Sequence, residues 1–275
     1  MKKNRLFWSG ILVAGLALAV LPSCAQQAFY HPDRHDYTRP EHTTQTWQDV
    51  FFHSKDSTKL HGRFAPATGT AKGTVIHVHG NAQNLSAHWD FVSWLPAQGY
   101  NVFAFDYRGY GRSEGKPDVR GLFDDTNAAL DYIRSRRDLD ANKLLVLGQS
   151  LGGTNAIAAV GAGNKQGIRA VAIEATFANY AAIANDKITG AGLLMNNRYS
   201  ADRHIASISP IPLLLIHGDA DSVIHVKHAH ALFAAARAPK KLIIVPNGEH
   251  IDALSHPHHR TRYRHVLTDF FQSAL

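Results

Sequence analysis

Six short apolar runs, separated by stretches of helical periodicity, constrain the fold of this chain more than any other feature of its sequence. Each run has four or five residues, and the runs span 74–78, 101–105, 144–147, 170–173, 213–216 and 242–245. Helical patterns lie between them, at 123–133, 155–160 and 226–236. Continuous apolar strands joined by helices are typical of a parallel sheet that is covered on both faces. The sequence therefore predicts the α/β class with a doubly wound sheet.

Two further segments complete the predicted architecture. Residues 50–53 and 60–64 alternate polar and apolar side chains and lie close together in the chain, which predicts an antiparallel hairpin at one edge of the sheet. Residues 179–209 form a long segment of mixed composition between two predicted strands. Insertions of this size are usually lids or loops over a site, and we predict a small lid here.

The composition excludes several classes of protein. With 45% hydrophobic residues, the 275-residue chain is too apolar to be disordered, and its single cysteine cannot form a disulfide framework. The formal net charge of +7 is unevenly placed, because Lys2, Lys3 and Arg5 precede the apolar run 6–21. A basic segment followed by an apolar one is typical of an export signal. The 16 residues of this run fall short of the roughly 20 that span a bilayer.

The export signal ends in Leu21-Pro22-Ser23-Cys24, which resembles a bacterial lipoprotein box. The resemblance implies cleavage before Cys24 and lipid attachment to it, with residues 1–23 as signal peptide. Residues 24–48 contain two prolines and little periodicity, which predicts a tether to a folded domain at 49–275. An ordinary signal peptide cut nearby and an uncleaved N-terminal anchor are the alternatives. Removal of the three basic residues lowers the formal net charge from +7 to +4, and nothing in that charge requires a nucleic-acid partner.

The most informative motif is Gly148-Gln149-Ser150-Leu151-Gly152, which follows the apolar run 144–147 and precedes an alanine-rich helical segment. A nucleophilic serine requires a tight turn between a strand and a helix, with small residues two positions away on either side. The start of the helix also directs the Leu151 amide and the positive end of the helix dipole toward a developing oxyanion. The motif therefore predicts Ser150 as the nucleophile and Leu151 as one oxyanion-hole donor.

From about residue 50 to the C-terminus, the strand order and four motifs resemble the α/β-hydrolase superfamily. The resemblance implies a mostly parallel, twisted sheet of about eight strands with helices on both faces, a small lid, and the chain order serine, acid, histidine. The loop 217–223 matches the acid loop of the superfamily, which implies that Asp221 is the acid, with Asp219 as the alternative. The loop 246–250 matches the histidine loop and selects His250 among 18 histidines.

Two other motifs have expected supporting roles. The loop 77–84 resembles the oxyanion loop of the superfamily, which implies that the Asn81 amide is the second oxyanion donor, with Ala82 as the alternative. His79 is then interpreted as a buried residue that orders the loop. The segment 106–113 is also a superfamily signature with a role in loop architecture, so Asp106 is excluded from the triad.

Motifs for other cofactors and ligands do not fit this sequence. Gly109 and Gly111 follow a predicted strand, but Gly115 is one position too late for a dinucleotide-binding motif, and no Gly-x-x-x-x-Gly-Lys phosphate loop occurs. The histidines at 225, 228, 230, 256, 258 and 259 have spacings that could hold a metal. We interpret them as surface imidazoles, because no carboxylate ligand is evident nearby. The expected site contains no metal and no organic cofactor.

The residue type at the predicted nucleophile position limits the reactions that we expect this protein to catalyse. Serine at this position separates the chain from the dehalogenases and epoxide hydrolases of the superfamily, which use aspartate there. The chain looks most like the small, short-lidded branch that includes lysophospholipid lipases and protein depalmitoylases. The resemblance implies hydrolysis of an acyl ester or thioester, palmitate included, through an acyl-enzyme intermediate. The lipid anchor implies a membrane-attached protein on the extracytoplasmic side of the cell envelope. A serine peptidase of the same fold and a noncatalytic envelope binding module are the alternatives.

Overall fold

The computed structural model describes residues 29–39 and 46–275, whose elements include ten strands and seven α-helices. The strands are β1 (His31–Pro32), β2 (Gln48–His53), β3 (Lys59–Ala65), β4 (Gly73–Val78), β5 (Ala82–Gln83), β6 (Tyr100–Phe105), β7 (Leu144–Gln149), β8 (Ile168–Glu174), β9 (Leu213–Gly218) and β10 (Lys240–Val245). The helices are α1 (Leu85–His88), α2 (Val119–Ser135), α3 (Leu151–Gly161), α4 (Tyr180–Lys187), α5 (Ala201–His204), α6 (Lys227–Ala235) and α7 (Arg260–Ser273). Within these residues, no helix is both long enough and apolar enough to cross a membrane. Cys24 and the predicted export signal lie outside the described residues.

Eight of the strands form one sheet, in the spatial order β10-β9-β8-β7-β4-β6-β3-β2. Neighbouring strands from β10 to β6 pair in parallel, whereas β3 pairs antiparallel with both β6 and β2. Strands β4, β6, β7 and β9 are buried along their whole length, which explains their continuous apolar sequences. The predicted α/β class, the doubly wound sheet and the antiparallel edge hairpin are confirmed.

Helices cover both faces of this sheet with apolar side chains. On one face, α2, α3 and α6 contribute Leu122, Ile157 and Leu232 to a buried cluster. On the opposite face, α7 contributes Leu267 and Phe271. Removal of such side chains from water contributes about 25 cal/mol per Å² of apolar area and drives the helices onto the sheet. The strands are held rigidly between two apolar layers, which gives the loops at their ends a fixed support.

The carboxyl ends of the parallel strands carry the predicted site residues. Asn81 follows β4, Ser150 follows β7, Asp221 follows β9 and His250 follows β10. Parallel strands place their carboxyl ends at the same edge of a sheet, and ligands of open α/β sheets bind outside that edge. Residues that are up to 169 positions apart in the chain are thereby brought to one edge.

The segment 179–209 lies between β8 and β9, where a lid was predicted. It contains α4, α5 and two short 3-10 turns, Ala191–Leu194 and Ile205–Ile208. The Asn179 side chain caps α4 by accepting a hydrogen bond from the Ala182 amide at 2.7 Å. Residues of α4 and of the first turn line a cavity at the carboxyl edge of the sheet.

Residues 29–39 fall within the predicted tether but lie against the folded domain. The short strand β1 pairs in parallel with β5, with His31 opposite Ala82. Tyr30 is buried in the core cluster, and Phe29 packs against the same cluster. The structure differs here from the predicted tether 24–48, because two aromatic side chains without any sequence periodicity hold this segment to the loop after β4.

Candidate active site

Ser150 lies on the sharp turn between β7 and α3. Its φ of 53° is in the left-handed region, and its amide donates a hydrogen bond to the Glu174 carbonyl at 2.9 Å. The turn requires close packing around it: a Cβ on Gly152 would clash with the Val78 carbonyl oxygen of the neighbouring strand. A non-glycine residue at positive φ is strained, and such strain persists where the surrounding structure enforces it. The predicted strand, turn and helix around the serine are all present.

The structure brings Ser150, His250 and Asp221 into one hydrogen-bonded chain. The Ser150 hydroxyl lies 3.0 Å from Nε2 of His250. On the other side of the ring, Nδ1 of His250 donates to Oδ2 of Asp221 at 2.8 Å. This order of contacts keeps Nε2 free to accept the serine proton. This geometry is the one that activation of a serine by a base and an orienting carboxylate requires.

Asp221 is held as an anion by its surroundings. Its Oδ1 accepts hydrogen bonds from the amides of Val223 and Ile224, both at 2.8 Å. Burial alone raises the pKa of this carboxyl, but hydrogen bonds from His217 and His250 outweigh burial and lower the pKa well below its ordinary value. An ionised carboxylate at this point stabilises a positive charge on the His250 ring.

Asp219, the alternative acid, has a different role. Its Oδ1 accepts a hydrogen bond from the Asn247 amide at 2.7 Å, and its own amide donates to the Val245 carbonyl at 3.1 Å. These contacts tie the loop after β9 to the loop after β10. The geometry therefore assigns Asp221 to the histidine and Asp219 to the turn.

Asn81 and Leu151 both line the cavity into which Ser150 opens. Leu151 is the first residue of α3, where the backbone amides lack partners within the helix. The Asn81 side chain is fixed: Nδ2 donates to the Phe29 carbonyl at 2.6 Å, and Oδ1 accepts from the Tyr110 hydroxyl at 2.9 Å. Ala82, the alternative donor, belongs to β5 and is not among the residues of the cavity wall. The role of Asn81 and Leu151 as oxyanion donors remains a prediction.

His79 and Asp106 form a separate buried network. Nδ1 of His79 donates to the Gly80 carbonyl at 2.7 Å, and the opposite ring nitrogen lies 3.5 Å from Asp106. Asp106 also accepts from the Leu85 amide at 2.7 Å. Burial raises the pKa of Asp106, but hydrogen bonds from His61 and His79 outweigh it and lower the pKa to about 2. Both side chains therefore form hydrogen bonds or close polar contacts with the loop after β4. The sequence predicts a loop-ordering role for His79, and for Asp106 a role in the architecture of its own segment, 106–113.

A second buried network supports the site and was not found from the sequence. Nε2 of His77 donates to Gln149 at 2.8 Å, and Gln149 donates to Oε2 of Glu174 at 2.6 Å. Burial raises the pKa of Glu174 and lowers that of His77 to about 3. The second oxygen of Glu174 accepts a hydrogen bond from the Leu254 amide, at 3.3 Å, in the loop that carries His250. The one available signal was a glutamate directly after the apolar run 170–173.

A cavity of about 720 Å³ opens beside Ser150. Its apolar wall includes Phe29, Leu151, Phe177, Ile183, Ile188, Leu194, Met195, Val223 and Ile224. His31 and Lys187 are the ionisable side chains on the wall, and no carboxylate belongs to the part of it that residues 29–39 and 46–275 form. The volume is within the range of about 300–1,000 Å³ that is typical of small-molecule sites.

The histidines interpreted as surface imidazoles differ in their burial and in their neighbouring residues. Nε2 of His228 lies 2.9 Å from Asp186, and its Nδ1 accepts from the Ala178 amide at 3.2 Å. The interpretation as a surface imidazole is therefore wrong for His228, which is buried beside that carboxylate. For His256 and His259, the premise that no carboxylate lies nearby is wrong, because Asp252 lies within reach of both rings. A helical turn brings this carboxylate back beside them, which the linear spacing alone did not reveal.

Comparison with known proteins places this architecture in a family. The model of the family Hydrolase_4, described as serine aminopeptidase, S33, matches residues 69–200. The protein YfhR of Escherichia coli (strain K12) is 47% identical over 269 residues, which cover 96% of this chain and 93% of YfhR. The α/β hydrolase domain-containing protein WAV2 of Arabidopsis thaliana is 30% identical over 274 residues, which cover 89% of this chain and 86% of WAV2.

Solved structures show the same fold. The esterase PF2001 of Pyrococcus furiosus matches with a TM-score of 0.74 at 20% sequence identity, over 90% of this chain and 98% of the esterase. With its eight-stranded sheet, its serine turn and these relatives, the chain belongs to the α/β-hydrolase superfamily, in the family that includes YfhR and WAV2.

Proposed function

We propose that this protein is a serine esterase that hydrolyses carboxylic esters or thioesters with an apolar acyl group. The observation that carries the proposal is the hydrogen-bonded chain from Ser150 through His250 to Asp221, which opens into an apolar cavity. Activated serine and an apolar wall are the two requirements for acyl transfer from a hydrophobic ester. No metal or organic cofactor takes part in the proposed reaction.

The proposed reaction has two acyl-transfer steps. His250 takes the hydroxyl proton of Ser150 as the serine oxygen bonds to the substrate carbonyl carbon, and the amides of Leu151 and Asn81 stabilise the resulting oxyanion. Collapse of this intermediate breaks the bond to the alcohol or thiol, which leaves with the proton from His250. Water then attacks the acyl-enzyme, again with His250 as base, and releases the carboxylic acid and free Ser150.

An aminopeptidase is the second candidate, because the matching family model is described in those terms. An aminopeptidase must bind the positively charged amino terminus of its substrate, and a carboxylate on the cavity wall would do so. The cavity wall formed by the described residues instead carries Lys187 and His31. Charge at the site therefore favours an uncharged acyl group over a peptide amino terminus.

We expect the purified protein to hydrolyse p-nitrophenyl esters faster than aminoacyl p-nitroanilides.

Met195→Trp fills the cavity and is expected to lower kcat/KM for a dodecanoyl ester by about 10-fold or more relative to the acetyl ester, because lost apolar contacts of this size cost roughly 1–3 kcal/mol. Leu193→Trp is the matched control, since Leu193 is 92% exposed and lies outside the cavity wall.

In the control variant, the ratio of kcat/KM for the dodecanoyl ester to kcat/KM for the acetyl ester should change less than twofold. Faster hydrolysis of the anilides than of every ester would favour the aminopeptidase. An unchanged chain-length profile in Met195→Trp would show that the acyl group binds elsewhere.

We also propose that a lipid on Cys24 holds the cavity close to a membrane, on the extracytoplasmic side of the envelope. Phe29 lines the cavity and follows Cys24 by five residues, so a fully extended chain separates them by at most about 18 Å. Exposed apolar side chains also surround the cavity: Ile188, Leu194 and Val223 on its wall and Leu193 beside it. Exposed apolar side chains grouped around a cavity are typical of a surface that contacts a membrane or a hydrophobic substrate.

Cys24→Ser is expected to move the protein from the membrane fraction to the soluble fraction of cells that process lipoproteins, because the thiol is the attachment point of the lipid. Fractionation followed by immunodetection measures the change, with Ser23→Ala as control. Membrane retention of Cys24→Ser would instead support an uncleaved N-terminal anchor.

A further inference from the structure

Asp252, His256 and His259 form a compact group, here called the histidine–aspartate cluster, between the catalytic histidine and α7. Each residue offers one ligand atom, and these three atoms lie within 4.8 Å of one another. The backbone explains the convergence: the His256 amide donates to the Asp252 carbonyl at 3.0 Å, and the His259 amide donates to the His256 carbonyl at 2.9 Å. Two successive turns of this kind place all three side chains on one side of the segment.

The ligand atoms of the cluster have few competing partners. Oδ2 of Asp252 accepts a hydrogen bond from the Glu249 amide at 3.1 Å, which fixes the carboxylate and leaves its other oxygen available. Nδ1 of His256 is 3.4 Å from the His258 amide, a long contact that a stronger ligand bond would replace. The His259 ring forms no hydrogen bond with any residue in 46–275, and it lies against the His256 ring with centroids 5.5 Å apart.

Two imidazoles and one carboxylate are a ligand set for divalent transition metals. Zn²⁺ binds histidine nitrogen at about 2.0–2.1 Å and carboxylate oxygen at about 2.0–2.2 Å, so tetrahedral ligand atoms are about 3.4 Å apart. The three ligand atoms of the cluster lie within 4.8 Å of one another, and small side-chain rotations would bring them to the tetrahedral separation. Three protein ligands leave one coordination position for water.

We propose that the histidine–aspartate cluster binds a divalent transition-metal ion, with Zn²⁺ as the best match, and that this ion fastens the loop carrying His250 to the start of α7. Asp252 follows His250 by two residues, and His259 directly precedes α7. None of the three ligands lines the cavity beside Ser150. The ion therefore has a structural role that is separate from the proposed ester hydrolysis.

Zn²⁺ titration of the purified, metal-free full chain against a chromophoric chelator tests the proposal. We expect a site of micromolar affinity or tighter that is weakened by about 10-fold or more in His256→Gln and in His259→Gln. His258→Gln is the matched control, because His258 is exposed and lies outside the cluster, and its affinity should stay within twofold of the wild type. Asp252→Asn keeps the acceptor for the Glu249 amide but loses the charge, and should also weaken binding.

Thermal unfolding supplies a second readout that does not depend on activity. Saturating Zn²⁺ should raise the Tm of the wild type and of His258→Gln by about 5 °C, and should leave His256→Gln and His259→Gln unshifted. Matching circular dichroism spectra of the metal-free proteins would show that the variants fold. Absence of Zn²⁺ binding by the wild type, or wild-type affinity in both His256→Gln and His259→Gln, would overturn the proposal.

Discussion

Ser150→Ala is expected to lower kcat for ester hydrolysis by about 10⁴-fold to 10⁶-fold. The substitution removes the oxygen that would form the acyl-enzyme in the proposed reaction, while His250 and Asp221 keep their contact. Residual turnover would come from substrate binding and oxyanion stabilisation alone. The measurement is the steady-state rate with a p-nitrophenyl ester, accompanied by covalent labelling with a fluorophosphonate probe, which reacts only with an activated serine.

Ser135→Ala is the control for this experiment, because Ser135 is exposed at the end of α2. The wild type and the control should be labelled to the same extent, and Ser150→Ala not at all. Equal labelling of Ser150→Ala would place the nucleophile elsewhere. A wild type that is neither labelled nor active would support the noncatalytic binding module instead of the enzyme.

Asp221→Asn is expected to lower kcat by about 10³-fold to 10⁴-fold with little change in KM. The neutral amide cannot stabilise a charged imidazole, and it favours the ring tautomer in which Nε2, the atom facing Ser150, already carries a proton. The matched variant Asp219→Asn retains an oxygen that accepts from the Asn247 amide. Its kcat should stay within a few-fold of the wild type.

Steady-state kinetics of the two variants, made and assayed side by side, measure the difference. Thermal unfolding midpoints within a few degrees of the wild type would show that both variants keep the fold. The reverse outcome, with Asp219→Asn inactive and Asp221→Asn active, would contradict the assignment of the acid. Equal losses in both variants would indicate that the loop after β9, and not one carboxylate, controls the rate.

The sheet and the serine turn could be predicted because their physical signals are local. Strands buried on both faces must be continuously apolar, and a serine at positive φ before a helix requires small neighbours such as Gly152. The superfamily resemblance assigned Asp221 and His250 and distinguished Asp221 from its neighbour Asp219. Strand placement supports both assignments, because each residue lies in the loop after a predicted strand.

Features that depend on three-dimensional proximity could not be predicted in this way. The link between Gln149 and Glu174 depends on the register of β7 against β8, which places these two residues opposite each other. The packing of Phe29 and Tyr30 depends on aromatic contacts without periodicity. The proximity of Asp252 to two histidines depends on a short helical turn in a loop.

Glu174 connects the turn that carries Ser150 with the loop that carries His250. Its backbone carbonyl accepts a hydrogen bond from the Ser150 amide. Its side chain accepts hydrogen bonds from the Gln149 side chain and from the Leu254 amide. The turn that carries Ser150 and the loop that carries His250 are therefore both hydrogen-bonded to one residue at the end of β8. In the chain, 100 positions separate Ser150 from His250. Because both loops are hydrogen-bonded to the same strand end, we expect a displacement of that end to shift Ser150 and His250 in the same direction, which favours a constant distance between hydroxyl and imidazole.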